Sequence, residues 1–184
     1  MSKQSLSQFK SNVSMGFARS NIFQVSLTAP SSLTNKSVPS KAKFLIKTAS
    51  LPSSNIGTIA IPYNGRVFNV PGDRSFDAWS TTIINTEEFE VRKLIESWIK
   101  DIQSLEANYT NSKVGNLDYT AELTVTAFDR DAISGDDLKA ARKYKFHDAF
   151  PSSMSAIDLD FASNDAVEEF TCEWQYSHWT VEKV

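Results

Sequence analysis

Two histidines and one cysteine are the residues of this 184-residue sequence best suited to nucleophilic or metal chemistry. His147 and His178 each lie in a stretch that predicts a strand, and neither has a second His or Cys at metal-ligand spacing. Cys172 lies on the apolar side of an alternating segment, which favours a small buried side chain over a nucleophile. The sequence also lacks a Gly-x-Ser-x-Gly nucleophile motif. We therefore expect no catalytic residue, no metal and no cofactor, and we expect the protein not to be an enzyme.

Two weaker patterns also point away from chemistry. Aspartates between residues 129 and 137 resemble a calcium loop, but the fifth, sixth and twelfth positions hold Ile, Ser and Ala where the EF-hand needs Asp or Asn, Gly and Glu. A solvated acidic loop is the better interpretation. The tryptophans could form a sugar-binding platform, although on strands and helices they more often anchor a core or an interface. They are Trp79, Trp98, Trp174 and Trp179.

Composition narrows the class of partner. The chain is 41% hydrophobic and 22% charged, as in ordinary globular proteins, and its net charge of −3 makes tight binding of nucleic acid an unfavourable hypothesis. Such a chain could still surround nucleic acid without gripping it. No apolar run reaches the length of a signal peptide or of a membrane span, so we expect synthesis in a cytoplasm and no membrane partner.

The pattern of the chain predicts a mainly β protein. Residues 1–18 form a polar arm, which is either a disordered terminus or a segment that orders against a neighbour. Residues 19–184 read as one domain. We expect about seven to nine strands, packed as two antiparallel sheets in a β-sandwich or barrel with one flanking helix. The strands are predicted around residues 21–27, 42–49, 58–63, 66–70, 76–84, 119–129, 144–150, 155–161 and 169–177.

Two local signals are sharper than the rest. Asn64-Gly65 predicts a type I′ turn, because both of its central residues need a positive φ, so residues 58–70 should form a hairpin. Pro62 must then lie on an edge or at a bulge. Apolar residues from 91 to 105 recur at helical spacing and predict a helix at about 87–105, with Thr86 as its N-cap.

Four segments, spread in order over most of the chain, carry the most specific motifs. They are residues 17–25 with Arg19 and Asn21; residues 48–52 and the turn Asn64, Gly65 and Arg66; residues 70–83 with Gly72, Asp73, Arg74 and Trp79; and residues 148–179. They resemble the tail tube proteins of contractile-tailed phages over roughly residues 17–180. The third segment is similar to the Gly-Asp-Arg-Thr-Phe-x-x-Trp strand of that family.

The resemblance implies a structural subunit with two roughly orthogonal sheets and a helix beside them. It implies hexameric rings, stacked head to tail into a rigid tube inside a contractile sheath of the virion. The implied partners are other copies of the chain, the sheath, baseplate and terminator proteins, and a tape-measure protein. DNA would later pass through the lumen without sequence-specific binding.

Other assignments stay open at this stage. A tube initiator or a tail terminator would be a paralogue in the same machine, and the inner tube of a phage-derived contractile injection system would share the architecture. A carbohydrate-binding or hydrolytic β-sandwich is the alternative from a different class.

Five carboxylates are candidates for the lining of the lumen, where negative charge would repel phosphate. They lie on the polar sides of predicted strands: Glu122, Asp158, Asp160, Glu169 and Glu173. The alternative is that they face the sheath or solvent.

Three further expectations concern assembly. Gly72 is expected to shape a turn before the strand at residue 76. Asp73 and Arg74 are expected to pair within or between subunits. The arm and the hairpin 58–70 are candidates for contacts between rings.

Overall fold

A computed structural model of the chain describes residues 6–12, 17–33, 38–106, 109, 118–129 and 140–183. The described part contains nine strands and three helices. In chain order these are α1 (Leu6–Asn12), β1 (Phe23–Ser26), α2 (Ala42–Leu45), β2 (Ile46–Ala49), β3 (Asn55–Tyr63), β4 (Arg66–Ser75), β5 (Trp79–Ile84), α3 (Glu90–Ile102), β6 (Ala121–Phe128), β7 (Ala140–Met154), β8 (Glu169–Gln175) and β9 (His178–Glu182). None of the described helices is long and apolar enough to cross a membrane.

The long strand β7 joins two antiparallel sheets. The first sheet contains β1, β6, the first part of β7, and β9, and the second sheet contains the last residues of β7, β8, β5 and β2. The register with β6 shifts between Ala121 and Leu123, and there Asp148 has a φ of 54°. Such a bulge bends a strand and lets it change partners. The predicted pair of antiparallel sheets is confirmed, with β7 forming the corner between them.

Both sheets contribute to one core. The alternation predicted for residues 169–177 is confirmed in β8, where Phe170, Cys172 and Trp174 are buried. The indole of Trp79 in β5 stacks on the ring of Phe146 in β7, with centroids 4.4 Å apart. This contact ties the second sheet to the first.

Helix α3 covers this core with one apolar side. Its buried residues are Val91, Leu94, Ile95 and Trp98. Trp98 meets Trp174 edge to face at 5.6 Å, and its indole N–H donates to the backbone oxygen of Tyr119 at 2.7 Å. The predicted apolar face of the helix is therefore confirmed over most of its length.

The predicted ends of that helix were wrong. A turn closed by the Phe89 amide, which donates to the oxygen of Thr86, precedes the helix, so Thr86 is not its N-cap. Phe89 takes that place in the left-handed region, with a φ of 53° and no side-chain cap. At the other end, Gln103 is extended and the exposed Leu105 lies beyond the helix.

Strands β3 and β4 form a separate hairpin that is longer than predicted. The turn residues Asn64 and Gly65 have φ angles of 46° and 76°, which confirms the expected pair of positive values. Pro62 lies opposite Val67, and β4 is the only strand that pairs with β3 in the described part of the chain. Pro62 is thus on an edge strand, where its missing N–H costs no ladder bond.

Two other strand predictions need correction. Residues 42–45, predicted as strand, form the short helix α2 before β2. Residues 144–150 continue as strand through Pro151 to residue 154, because a register shift against β8 accommodates the proline.

Residues 155–161 are a loop and not a strand. The Asp160 carboxylate accepts a hydrogen bond from the Ala162 amide at 2.9 Å, a local bond that favours a turn over a ladder. Asp158 and Asp160 therefore do not lie on a strand face as expected.

Some expectations fall outside the described residues. They concern parts of the arm, at residues 1–5 and 13–16, and most of the acidic stretch, at residues 130–139. The described portion of the arm contains α1, and the ring of Phe9 lies 6.3 Å from that of Phe17.

Candidate assembly surfaces

The two histidines, separate in sequence, meet across strands β7 and β9. Their rings stack with centroids 4.5 Å apart, and His147 Nε2 lies 2.8 Å from the hydroxyl of Thr180. The sequence pattern gives no sign of this pair, because only the register between the strands brings His178 opposite His147. Within the described residues, no group of three or more His, Cys, Asp or Glu side chains could hold a metal ion.

Cys172 behaves as a core residue. It is fully buried, and burial is the main reason why the pKa of its thiol rises to about 12, with the charge of Glu173 adding to the effect. A thiol with so high a pKa is protonated at neutral pH and a poor nucleophile. The interpretation of Cys172 as a small buried hydrophobic residue is confirmed.

The tryptophans do not present a flat exposed platform. Trp79, Trp98 and Trp174 are buried, and the half-buried Trp179 donates its indole N–H to the oxygen of Ser53 at 3.0 Å. Trp79, named above as a motif residue, donates to the oxygen of Ser50 at 2.6 Å. Its place in the motif is therefore that of a core anchor.

Strands β3 and β4, together called the hairpin from here on, expose apolar side chains to solvent. Directly paired residues share one face of an antiparallel ladder, so Ile61 lies beside Phe68 and Ile59 beside Val70. Ile61 is 46% exposed and Phe68 67%. A two-stranded hairpin is marginally stable alone in water, and contiguous exposed apolar surface marks an interaction site. The hairpin is the clearest such surface in the described part of the molecule.

Asp77 holds the base of the hairpin to the body. Its carboxylate accepts hydrogen bonds from the hydroxyl of Ser53 at 2.9 Å and from the side-chain amide of Asn55 at 2.8 Å. Asp77 stands between β4 and β5, so these bonds connect the first hairpin residue to the start of the core strand. They limit the directions in which the hairpin can project.

Gly72 lies within β4 and not in a turn, which corrects the sequence-based expectation. A Cβ atom at this position would lie 3.2 Å from the carbonyl carbon and oxygen of Gly57. The hairpin register shifts between Ile56 and Thr58, beside this contact. The lack of a side chain at Gly72 thus allows the two backbones to approach closely.

The charged motif residues of the hairpin are exposed. Among the described residues, no ion pair joins Asp73 to Arg74, and successive strand residues point to opposite faces. The two side chains therefore do not pair with each other within the subunit, and their pairing between subunits stays a prediction. Arg66 is exposed at the turn, whereas Arg19 and Asn21 are exposed before β1 and belong to a different part of the fold.

Three of the five candidate acidic residues lie on the two sheets. The carboxylate of Glu122, on β6, forms an ion pair with Lys145 at 2.7 Å and lies 3.8 Å from His147. The hydrogen bond with Glu122 is the main reason why the pKa of Lys145 lies above its usual value. On β8 of the second sheet, Glu169 pairs with Lys47 at 2.6 Å.

Glu173 differs from these two carboxylates. It accepts a hydrogen bond from the Ser153 hydroxyl at 3.1 Å, and no cation of the described part of the chain forms an ion pair with it. Because β8 lies between β5 and β7, Glu173 stands inside the sheet and not at its edge. Of the three candidates that lie on strands, it is the one whose negative charge is least compensated.

Known proteins share both sequence and fold with this chain. It is 26% identical over 165 residues to tail tube protein gp19 of Enterobacteria phage T4, covering 89% of this chain and 91% of gp19. It is 24% identical over 161 residues to the tail tube protein of Serratia phage KSP90, covering 88% and 86%.

The fold is also found in solved assemblies. A chain of the anti-feeding prophage baseplate superposes with a TM-score of 0.62 at 14% identity, covering 91% of this chain and 96% of that chain. A chain of the sheath–tube complex of the PVC extracellular contractile injection system superposes with a TM-score of 0.54 at 18% identity, covering 99% and 100%. At these identities the likeness establishes the fold.

The family model described as phage tail tube protein matches residues 18–182, almost the whole chain. That span contains every strand of both sheets, the hairpin and helix α3. This chain therefore belongs to the phage tail tube protein family.

Proposed function

We propose that the protein is a structural subunit of the tail tube of a contractile-tailed phage, without enzymatic activity. Hexameric rings would stack head to tail into a rigid channel inside the sheath. The observation that carries this proposal is the family match over residues 18–182. The proposed place is the virion tail, after synthesis in the host cytoplasm. Sheath, baseplate, terminator and tape-measure proteins are the proposed partners.

Open strand edges support assembly by strand pairing. In the described chain, β1 pairs only with β6, β2 only with β5 and β9 only with β7. An edge strand offers unpaired N–H and C=O groups to another chain. Pairing of such edges between neighbouring subunits would close a ring.

The outer face of the second sheet suits a channel that must let DNA slide. Its side chains are mostly hydroxyls and carboxylates, because register places them opposite the buried positions. They are Lys47, Thr48, Ser80, Thr82, Ile84, Ser153, Glu169, Thr171, Glu173 and Gln175. The lysine is already paired with Glu169. Phosphate is retained by accessible Lys and Arg, so a face without a free cation would let DNA pass.

The outer face of the first sheet is a poorer lining. Lys143, Lys145 and His147 alternate along β7 and form a basic row, although Glu182 and Glu122 pair with its lysines. We therefore assign the channel to the face of β5 and β8, with Glu173 as its main uncompensated carboxylate. Glu122 is placed away from the channel in this assignment.

Charge reversal tests the lining. Phage particles that carry Glu173→Lys should still have tubes but should release DNA more slowly after triggering, as measured by a dye that binds released DNA. Asp129→Lys, at the exposed end of β6, is the matched control and should release DNA at the normal rate. Normal release from Glu173→Lys particles with intact tubes would count against the lining.

Sedimentation of the purified protein tests the subunit role. A tube protein should form particles whose mass grows with concentration far beyond one ring. A species that stops at the mass of a single ring would instead favour a tube initiator or tail terminator.

A further inference from the structure

The two stacked histidines lie where strand β9 begins to pair with β7. The imidazole rings of His147 and His178 are nearly parallel, with 12° between their planes and 4.5 Å between their centroids. A metal ion lies close to the plane of each imidazole that binds it, and two such parallel planes share no suitable point. The pair can instead bind two protons close together, because histidine is the side chain that ordinarily changes its charge between pH 5 and pH 8.

Three strands supply the charged groups on the face of this pair. On β6, the carboxylate of Glu122 lies 3.8 Å from Nδ1 of His147 and pairs with Lys145 at 2.7 Å. On β7, Lys143 and Lys145 alternate with the buried side and so share the face of His147. On β9, Glu182 pairs with Lys143. The two lysines and the two carboxylates balance one another, so a proton on each ring would give this face a net positive charge.

The stacked arrangement accommodates one added proton but not two. Nε2 of His147 lies 2.8 Å from the hydroxyl oxygen of Thr180, so a protonated His147 can donate to that oxygen while Nδ1 faces Glu122. A second proton, on His178, would place two positive charges on rings that stack face to face. A like charge at so short a distance disfavours the charged form of its neighbour. Protonation of both rings therefore favours their separation.

Strand β9 is held on one side only in the described part of the chain. Its five residues pair with residues 143–147 of β7, and no other described strand pairs with it. His178 is exposed and is the first residue of the strand. A short strand with one partner opens more readily than a strand inside a sheet. Separation of the two rings therefore acts directly on the ladder that holds β9.

The residue after His178 connects β9 to the base of the hairpin. The indole N–H of Trp179 donates to the backbone oxygen of Ser53 at 3.0 Å, and its ring meets that of Tyr144 edge to face at 5.7 Å. The hydroxyl of Ser53 in turn donates to the carboxylate of Asp77, which orients the hairpin. Opening of β9 at His178 would therefore remove one of the contacts that hold the segment before the hairpin.

We propose that His147 and His178 form an acid-sensitive latch: when both rings are protonated, the start of β9 separates from β7 and Trp179 loses its contact with Ser53. The direction follows from proton binding. Separated rings each take up a proton freely, whereas stacked rings resist the second proton. The open state therefore binds more protons, and its population rises as the pH falls. The latch belongs to the single subunit and does not depend on the proposed function.

Amide hydrogen exchange of the unassembled subunit tests the latch. The measurement compares about pH 8 with about pH 5, the range in which histidine changes its charge. Protection factors, which correct for the intrinsic effect of pH on exchange, should fall about fivefold for residues 178–182, as expected for two unit charges 4.5 Å apart in bulk water. The Glu182 ion pair persists at the lower pH, because the hydrogen bond from Lys143 holds the pKa of Glu182 below its usual 4.5. Protection of β6 should stay unchanged.

Two substitutions of His178 separate the effect of its charge from that of its ring. His178→Phe keeps an aromatic ring that cannot be protonated, so the protection of β9 should no longer depend on pH. His178→Lys carries its charge at both pH values and should show the lowered protection already at the higher one. An equal fall of protection in His178→Phe and in the unmodified protein would overturn the latch, and so would unchanged protection of β9 in the unmodified protein. A loss in β6 as large as that in β9 would show general loosening by acid and would also contradict it.

Discussion

Gly57 and Gly72 lie against each other across the base of the hairpin. A Cβ atom on Gly72 would be 3.2 Å from the carbonyl carbon and oxygen of Gly57 and 3.3 Å from Cγ1 of Ile59. Two of these three neighbours are backbone atoms, which cannot move aside as a flexible side chain can. The pair therefore fixes how closely β3 and β4 approach at the point where the hairpin leaves the body.

Gly72→Ala should loosen the base of the hairpin. The added methyl group must push the strands apart, so amide hydrogen exchange in residues 55–75 of the unassembled subunit should become faster, and tubes should form less readily. The rest of the fold should be unaffected. Asn69→Ala, at an exposed position of the same strand, is the control. Unchanged exchange in Gly72→Ala would show that the strands accommodate the methyl group.

Asp77→Ala should weaken the link between hairpin and body. The change removes the acceptor for both Ser53 and Asn55. Because these bonds are exposed, we expect a loss of no more than about 1 kcal/mol in the free energy of unfolding. Tube assembly should be impaired more than this loss of folding stability alone would cause, since the hairpin is no longer held in one orientation. Asp73→Ala, which removes a carboxylate without either hydrogen bond, should leave hairpin orientation intact, as measured by residual dipolar couplings.

Thr81→Val should destabilise the core although the two side chains have nearly the same shape. The Thr81 hydroxyl accepts a hydrogen bond from the buried indole N–H of Trp174 at 2.9 Å and donates to the oxygen of Cys172 at 3.4 Å. Valine leaves that N–H without a partner, at a cost of about 1–3 kcal/mol. Urea denaturation measures this loss in the free energy of unfolding.

Thr82→Val is the matched control for this core bond. Thr82 is the next residue of β5 and points to the outer face, so its replacement should change the free energy of unfolding by no more than about 0.5 kcal/mol. Equal effects of the two substitutions would contradict the role given to the Thr81 hydroxyl.

The ion pairs on the first sheet should make stability depend on pH at both extremes. The hydrogen bond from Lys143 is the main reason why the pKa of Glu182 lies below its usual 4.5. The contribution of Glu182 to the free energy of unfolding is therefore present above pH 4.5. It is lost as the pH falls through the lower pKa that Glu182 has in the folded protein. The pKa of Lys145 is raised above 10.5, so its contribution is present below that pH and is lost as the pH rises through the folded value.

Melting temperatures measured as a function of pH test both the predicted loss of stability at acid pH and the predicted loss at alkaline pH. Glu182→Gln should flatten the acid side of the profile, and Lys145→Gln should flatten the alkaline side. Glu87→Gln, an exposed residue before α3, is the control and should leave the profile unchanged. A profile of Glu182→Gln with the full acid-side slope would contradict the role of its ion pair.

Local patterns foretold those parts of the fold that local chemistry decides. The Asn64-Gly65 turn follows from the need for two positive φ angles, and the buried face of β8 follows from its strict alternation. The end of α3 did not follow from periodicity. Leu105 continues the helical spacing, but the chain has already become extended at Gln103.

Features set by contacts between distant segments were beyond the sequence pattern. Gly72 reads as a turn residue until Gly57 is placed against it. His147 and His178 read as isolated until the register of β7 and β9 stacks them. Asp158 alternates with Leu159 as a strand residue would, yet no neighbouring strand is there to pair with it in the described structure, and the segment is a loop. The placement of the candidate carboxylates therefore needed the structure.

Electron microscopy of the purified protein in negative stain tests the central claim most directly. We predict tubes of uniform width with a central stain-filled channel and six-fold symmetry in end-on views. Tubes of this kind should form without sheath or baseplate proteins, because every contact invoked above is between copies of this chain. Monomers or irregular aggregates at concentrations where the subunit is folded, with no tube and no ring, would contradict the assignment of this chain as a tube subunit.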